Sequence, residues 1–103
     1  MDSSNQAKQR RSGATGGLSL RLYVAGHSPN SVAAITNLQA LCPTLHPSSL
    51  VEIVDVLQEP ERALQDGIMV TPMLVRLSPE PTVQILGALS DLARVRSGLG
   101  IEP

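Results

Sequence analysis

The chain has 103 residues, with eight basic side chains against nine acidic ones and a single aromatic residue, Tyr23. A chain of this length forms one domain. Its net charge of −1 leaves no excess of positive charge for nucleic acid. One aromatic ring also excludes a single-strand binder that stacks several bases. Cys42 is the only cysteine, which excludes a disulfide-stapled fold and favours a reducing compartment.

The N-terminal segment differs in composition from the rest of the chain. Residues 1–17 have only three apolar side chains, among Gly, Ser, Gln and Asn. Such a segment cannot bury enough surface to offset the entropy of ordering. We therefore expect a disordered tail over 1–17 and one folded domain over 18–103. No apolar run approaches the ~20 residues of a membrane helix, and no signal peptide is visible, so we expect no membrane partner and a cytoplasmic protein.

The first part of the domain predicts a strand followed by a helix. Residues 18–25 alternate between apolar and polar and then become apolar, as in a strand that enters a core. Ser28 is placed as a helix N-cap, and Pro29 occupies the first helical position, where its missing N–H costs nothing. Pro43 is expected to stop the helix. The predicted apolar face of this helix consists of Val32, Ile35, Leu38 and Leu41.

The middle of the chain predicts a second strand, a short helix and two further strands. Residues 50–57 are largely β-branched, and we expect them to form a central strand. Pro60 begins the short helix, and Gly67 ends it with a positive φ. Residues 68–77 and 82–86 predict the last two strands, which a short turn joins into an antiparallel hairpin.

The order of elements predicts the fold class. A last helix over 91–96, with Ser90 as its N-cap and Gly98 at its end, completes a β-α-β-α-β-β-α chain. The first crossing makes two strands parallel neighbours. This order predicts a thioredoxin-like α/β fold with a mixed four-stranded sheet. Pro72 supports this fold class, because thioredoxin-like folds have a Thr-Pro pair at the start of the third strand, usually with a cis peptide bond. We therefore predict that the peptide bond before Pro72 is cis.

The thioredoxin-like fold raises the question of redox chemistry, and the residues argue against it. The reactive cysteine pair would lie at the head of the first helix, where the helix N-terminus lowers a thiol pKa. Residues 26–31 contain no cysteine. Cys42 lies at the far end of that helix, and we interpret it as a packing residue. His27 and His46 have no partners at a metal-ligand spacing, so we predict no catalytic residue, metal or cofactor.

Four short blocks of the sequence carry a family resemblance. They are LYVAGHSPNS at 22–31, VDVL with a following proline at 54–60, DGIMVTPML at 66–74 and ILGALSD at 85–91. The blocks are collinear over residues 20–100, and together they resemble the KaiB family of circadian clock proteins. The resemblance implies a non-enzymatic protein that binds the hexameric ATPase KaiC, modulates its phosphorylation cycle and can then sequester KaiA.

The resemblance also implies two folds for one sequence. The family's resting form is a tetramer whose C-terminal half differs from thioredoxin, and its partner-binding form is a thioredoxin-like monomer. The alternative fold class is therefore a tetrameric KaiB resting fold, rearranged from about Ile68 onwards. Two such packings need differ by only a few kcal/mol. We take Pro72, Gly98 and Gly100 as the candidate fold-switch positions.

Partner contacts are assigned by the same resemblance. Tyr23 and Asn30 lie in the best-matching block, Asp55 lies in the second, and Glu52 and Arg76 stand where the family commonly has lysine. A structural role for Tyr23, Asn30 and Asp55 is the alternative. Where the family has a basic residue and this chain does not, the charge complementarity that decides partner choice changes. We therefore interpret the chain as a divergent paralogue that binds a KaiC paralogue.

The second hypothesis is a thioredoxin-like protein with a redox or small-molecule role.

Overall fold

The computed structural model describes residues 17–101. The tail expected over 1–17 therefore lies outside the described residues, apart from Gly17. The described elements confirm the predicted order. They are β1 (Ser19–Val24), α1 (Pro29–Leu41), a 3-10 turn (Cys42–Thr44), β2 (Leu50–Asp55), α2 (Pro60–Gln65), β3 (Met73–Ser78), β4 (Val83–Leu86) and α3 (Leu92–Leu99).

The four strands form one mixed sheet in the order β2-β1-β3-β4. β1 and β2 are parallel, while β3 pairs antiparallel with both β1 and β4. The prediction that β2 is central was wrong, because β1 and β3 occupy the centre. The exposure of β2 agrees with its place at the edge: Leu50 is 69% exposed and Ile53 is 42% exposed. β1, by contrast, is buried on both faces of the sheet.

Helices α1 and α3 cover one face of the sheet. The core on this side contains Leu20, Leu22 and Val24 of β1, packed with Leu74, Val95 and Leu99, among others. The predicted apolar face of α1 was partly wrong. Val32 is 46% exposed and Ser31 is fully buried, next to Ala34, Leu38 and Leu41. Burial of Ser31 is possible because its Oγ accepts a hydrogen bond from the Ala25 N–H at 3.0 Å.

Helix α2 covers part of the opposite face. Its core contains Tyr23, Val54, Ala63, Ile68 and Val75. Gly67 has a φ of +70° directly after the helix, which confirms the predicted glycine cap. Because Ile68 packs into this core and Pro72 lacks an N–H for the ladder, β3 begins only at Met73 and not at the predicted residue 68.

Three predictions about helix ends also need correction. Pro29 begins α1 as expected, but the side chain of Ser28 makes no capping hydrogen bond. At α3 the cap is Asp91 and not Ser90, since an Asp91 carboxylate oxygen accepts from the Arg94 N–H. Gly98 lies inside α3, and Gly100, with a φ of +80°, forms its C-cap.

The peptide bond between Thr71 and Pro72 is cis, as predicted. Two further cis bonds, Ser78–Pro79 and Glu80–Pro81, lie in the turn between β3 and β4. Of the eight prolines in the chain, those at 29 and 60 begin helices, so proline serves both as a helix start and as a turn residue here.

Candidate interaction site

A cluster of charged side chains lies on the α2 side of the sheet. Arg21 of β1 donates from Nε to Glu52 of β2 at 2.9 Å and from Nη1 to Asp66 at 2.9 Å. Arg62 of α2 holds the same Glu52 carboxylate through two bonds, at 2.7 and 2.9 Å. Glu59 Oε1 lies 3.5 Å from Arg62 Nη1. The cluster therefore links two strands, a helix and the loop after that helix.

The two guanidinium groups control the ionisation of Glu52. Hydrogen bonds from Arg62 and then Arg21 lower the pKa of Glu52 to about 2. The same contact with Glu52 raises the pKa of Arg62. Glu52 is thus ionised throughout the physiological range. Its side chain remains 46% exposed, so a partner can still reach it.

Tyr23 is part of this cluster but lies beneath the surface. It is 1% exposed and packs in the core under α2. Its hydroxyl donates to a carboxylate oxygen of Asp66, and Arg21 Nη1 lies 3.4 Å from the same hydroxyl. A buried Tyr hydroxyl usually has such a partner. The structure therefore joins Tyr23 to Glu52 through Asp66 and Arg21, with Glu52 as the exposed member.

Asn30 and Asp55 lie at the end of the sheet where β1 and β2 stop. Asn30 is exposed, at the second position of α1. Asp55 Oδ1 accepts from the Gly26 N–H at 3.0 Å and from the Leu57 N–H at 2.9 Å. These bonds hold the loops after the two strands together. Asp55 thus orders the loop that leads to Asn30.

Arg76 lies on the other face of the sheet, under the end of α3. It is only 9% exposed. Its Nη1 donates to the Leu99 carbonyl and its Nη2 to the Pro81 carbonyl, each at 2.8 Å. Its Nε has no hydrogen-bond partner among the described residues. Arg76 therefore fastens the end of α3 to the turn between β3 and β4.

The candidate fold-switch positions fall at two places. A side chain at Gly100 would put its Cβ 3.1 Å from Arg76 Nη1, and one at Gly98 would put its Cβ 3.0 Å from Ile85 Cδ1. Both glycines thus permit the close approach of α3 to β3 and β4. Pro72 lies away from them, at the start of β3, where its carbonyl accepts from the Gly87 N–H at 3.0 Å.

The histidine and cysteine side chains that redox or metal chemistry would use do not come together in the described part of the chain. His27 is exposed beside the start of α1, and Cys42 is half-buried at the other end of that helix. Over residues 17–101 no three His, Cys, Asp or Glu side chains are grouped so that they could hold a metal ion. Within the same range no helix combines the length and apolarity needed to cross a membrane.

Four residues of the charged cluster were not predicted from the sequence as site residues: Arg21, Glu59, Arg62 and Asp66. Arg21 lies in β1, far along the chain from Arg62 in α2 and from Asp66 directly after that helix. A usable signal did exist at Arg21, because a charged residue inside an otherwise apolar strand needs a partner when the strand is central. The partner Glu52 lies opposite Arg21 in the parallel pairing of β1 and β2, which was predicted and is confirmed. The partners from α2 and the loop after it depend on how that helix packs on the sheet, which the sequence pattern does not give.

Comparison with solved structures defines the class of protein. Mitochondrial thioredoxin 3 from Saccharomyces cerevisiae matches with a TM-score of 0.68 at 16% identity, over 92% of this chain and 88% of that one. The N-terminal domain of SasA from Synechococcus elongatus matches with a TM-score of 0.64 at 20% identity, over 82% and 84%. The fold is therefore thioredoxin-like.

Sequence comparison then identifies the family. The protein-family model named KaiB domain matches residues 21–101 of this chain. Circadian clock protein KaiB3 from Synechocystis sp. is 44% identical over 82% of this chain and 83% of that protein. Circadian clock oscillator protein KaiB from Prochlorococcus marinus is 41% identical over 80% and 71%. The chain belongs to the KaiB family, and the KaiB3 match agrees with its interpretation as a paralogue.

Proposed function

We propose that this chain is a non-enzymatic clock protein that binds a KaiC-type ATPase and modulates its phosphorylation cycle. The observation that carries the proposal is family membership over residues 21–101, with 44% identity to a protein named circadian clock protein KaiB3. Proteins of this family are clock regulators and not known enzymes. In support, the segment 26–31, which would hold the cysteine pair of a thioredoxin, contains no cysteine.

The exposed candidates, Asn30 and Glu52, are the residues that we propose contact the partner. The other three candidates have burial and bonds that favour positioning roles. Tyr23 supports the charged cluster, Asp55 orders the loop before α1, and Arg76 fastens α3. Glu52 presents a permanent negative charge where relatives commonly carry lysine. Such a reversal selects a different partner surface, and we therefore propose a KaiC paralogue as the partner.

Our proposal extends to the oligomeric state. The thioredoxin-like form described here would be the partner-binding monomer, in exchange with a resting homotetramer whose C-terminal half is rearranged. Pro72, Gly98 and Gly100 would be the positions that take part in this exchange. A KaiA-type protein is the further partner that we propose, and the compartment would be the cytoplasm. Light scattering of the free chain and of its complex tests the exchange, with tetramer and monomer as the expected masses.

Co-elution with purified KaiC-type ATPases in the presence of ATP is the primary experiment. We expect one KaiC paralogue to retain the chain, and Asn30→Ala and Glu52→Gln to weaken this retention. Gln39→Ala, an exposed substitution in the same helix as Asn30, is the matched control and should bind as the wild type does. Failure with every KaiC-type protein of the host would refute the proposal.

An insulin-reduction assay distinguishes the redox alternative. The wild-type chain should show no dithiol reductase activity, because its one thiol, Cys42, is half-buried at the C-terminal end of α1. Reductase activity that Cys42→Ser abolishes would overturn the non-enzymatic assignment.

A further inference from the structure

Two hydrogen bonds join the start of β1 to the loop before β2. The Gly17 N–H donates to Ser48 Oγ at 2.9 Å, and the Leu18 N–H donates to Ser49 Oγ at 2.9 Å. We call these two bonds, with the turn at 46–49 that supplies both hydroxyls, the clasp. The clasp fixes the point at which the N-terminal segment of the chain joins the domain.

Gly17 fits the clasp because it has no side chain. A Cβ at this position would overlap the Ser49 backbone nitrogen and the Ser48 carbonyl carbon. Both are backbone atoms, which cannot move aside as the end of a flexible side chain can. Gly17 therefore lies directly on the turn, and its position depends on the shape of that turn.

His46 holds Ser48 in the position that the clasp requires. The Ser48 N–H donates to His46 Nδ1 at 3.0 Å, and Ser48 Oγ lies 2.8 Å from the same nitrogen. Because a backbone N–H can only donate, Nδ1 is the acceptor and the ring proton lies on Nε2. The Ser49 N–H donates to the His46 carbonyl at 2.9 Å and closes the turn. The clasp thus requires the neutral form of His46.

Protonation of His46 removes the acceptor on which this arrangement depends. Both ring nitrogens of a charged imidazole are donors, so Nδ1 would direct a hydrogen towards the Ser48 N–H. Since two donors cannot bond to each other, the ring must rotate away or the turn must change its shape. In either case the Ser48 hydroxyl is no longer held opposite the Gly17 N–H.

The charged groups near His46 do not compensate for this loss. Among residues 17–101 no carboxylate forms an ion pair with His46. Arg96 of α3 approaches the same loop, where its Nη1 donates to Thr44 Oγ1 at 2.6 Å. Its positive charge does not stabilise a charged imidazole. In the described part of the chain, protonated His46 therefore gains no carboxylate in exchange for the bond that it loses.

We infer that His46 is a proton-operated switch of the clasp: neutral His46 holds Ser48 and through it Gly17, and protonation releases both. Histidine is the side chain whose charge changes in the physiological pH range. The segment that joins the domain at Gly17 carries three basic residues and one acidic residue over 1–16. Protonation therefore also adds a positive charge at the place where a basic segment joins the domain.

Amide exchange of the full chain, followed residue by residue by NMR from pH 8 to pH 5, tests the switch. After correction for the intrinsic pH dependence of exchange, protection of the Gly17 and Ser48 amides should fall by about two- to tenfold, as expected for the loss of one hydrogen bond. The fall should follow the titration of the His46 ring. It should not follow that of His27, the second histidine, which is exposed beside the start of α1.

Two substitutions at His46 separate its proton from its role as an acceptor. His46→Asn keeps an acceptor, because an asparagine oxygen can accept from the N–H two residues further on, but it does not titrate. Its clasp should stay closed at both ends of the pH range. His46→Ala has no acceptor, so Gly17 should show the low protection throughout. His27→Asn is the matched control and should keep the pH dependence of the wild type.

Two results would overturn the inference. One is protection of the Gly17 amide that does not change between pH 8 and pH 5 in the wild-type chain. The other is the same pH dependence in His46→Asn as in the wild type, which would assign the titration to another group. The clasp lies within residues 17–49, before the segment from about Ile68 that the proposed exchange rearranges, so the test applies to tetramer and monomer alike. Binding to a KaiC-type ATPase plays no part in it, so this inference can fail while the proposed function holds.

Discussion

Replacing Gly100 by alanine tests how α3 is held against the sheet. Gly100 has a φ of +80°, and an added Cβ would lie 3.1 Å from Arg76 Nη1. That nitrogen donates to the Leu99 carbonyl at 2.8 Å. The substitution therefore has two effects at once. It forces alanine into a left-handed backbone conformation, and its Cβ displaces the guanidinium of Arg76. Gly67→Ala is the matched control, because Gly67 has a φ of +70° and no atom within 4 Å of an added Cβ.

The two effects differ enough in size to be separated. A left-handed conformation costs alanine about 1 kcal/mol, and this is the whole cost expected for Gly67→Ala. A hydrogen bond from a charged group is worth about 1.5–3 kcal/mol, and Gly100→Ala should lose much of one. We therefore expect Gly100→Ala to destabilise the fold by about 2–4 kcal/mol. Since each kcal/mol lowers the Tm of a domain this size by about 4–8 °C, the two variants should melt at clearly different temperatures.

Thermal and urea unfolding followed by circular dichroism measure both variants. Repeating the pair in an Arg76→Met background completes the double-mutant cycle. Without the guanidinium, Gly100→Ala should cost no more than Gly67→Ala. Equal costs in the wild-type background would refute the reasoning, since they would mean that the added Cβ leaves the hydrogen bond from Arg76 to the Leu99 carbonyl undisturbed.

Two further predictions concern charges. The pKa of Glu52 is about 2 when folded, against 4.5 for the free side chain, so its hydrogen bonds with Arg62 and Arg21 stabilise the fold above pH 4.5, and this contribution is lost as pH falls toward 2. Because the Glu52 side chain is 46% exposed, the contribution is below about 1 kcal/mol. The difference in stability between wild type and Glu52→Gln, measured by urea unfolding, should stay constant from pH 7 to pH 4.5 and shrink as pH falls toward 2. Asp91→Ala should cost about 1 kcal/mol by removing the α3 cap at the Arg94 N–H, while Ser90→Ala changes little; similar losses from both would contradict the cap assignment.

The ends of elements show where sequence patterns are reliable and where they are not. Pro29, Pro60 and Gly67 were placed correctly, because each depends on its own backbone conformation. The assignment of Ser90 as the cap was wrong: Asp91, which is also a good capping residue, accepts from the Arg94 N–H instead. Ser31 shows a similar limit: its burial depends on the hydrogen bond that it accepts from the Ala25 N–H, a group in the loop after β1.

The sequence alone determined the order of the elements, the cis bond at Pro72 and the family, because these depend on local conformational preferences and on short blocks of residues. Only the tertiary structure decided that β2 is an edge strand, since strand order arises from pairings between residues far apart along the chain. That one decision exposes Val51 and Ile53. The packing of α2 on the sheet brings Arg62 to Arg21 and Glu52 and so assembles one charged cluster, and the packing of α3 places Arg76 beneath that helix and away from the surface.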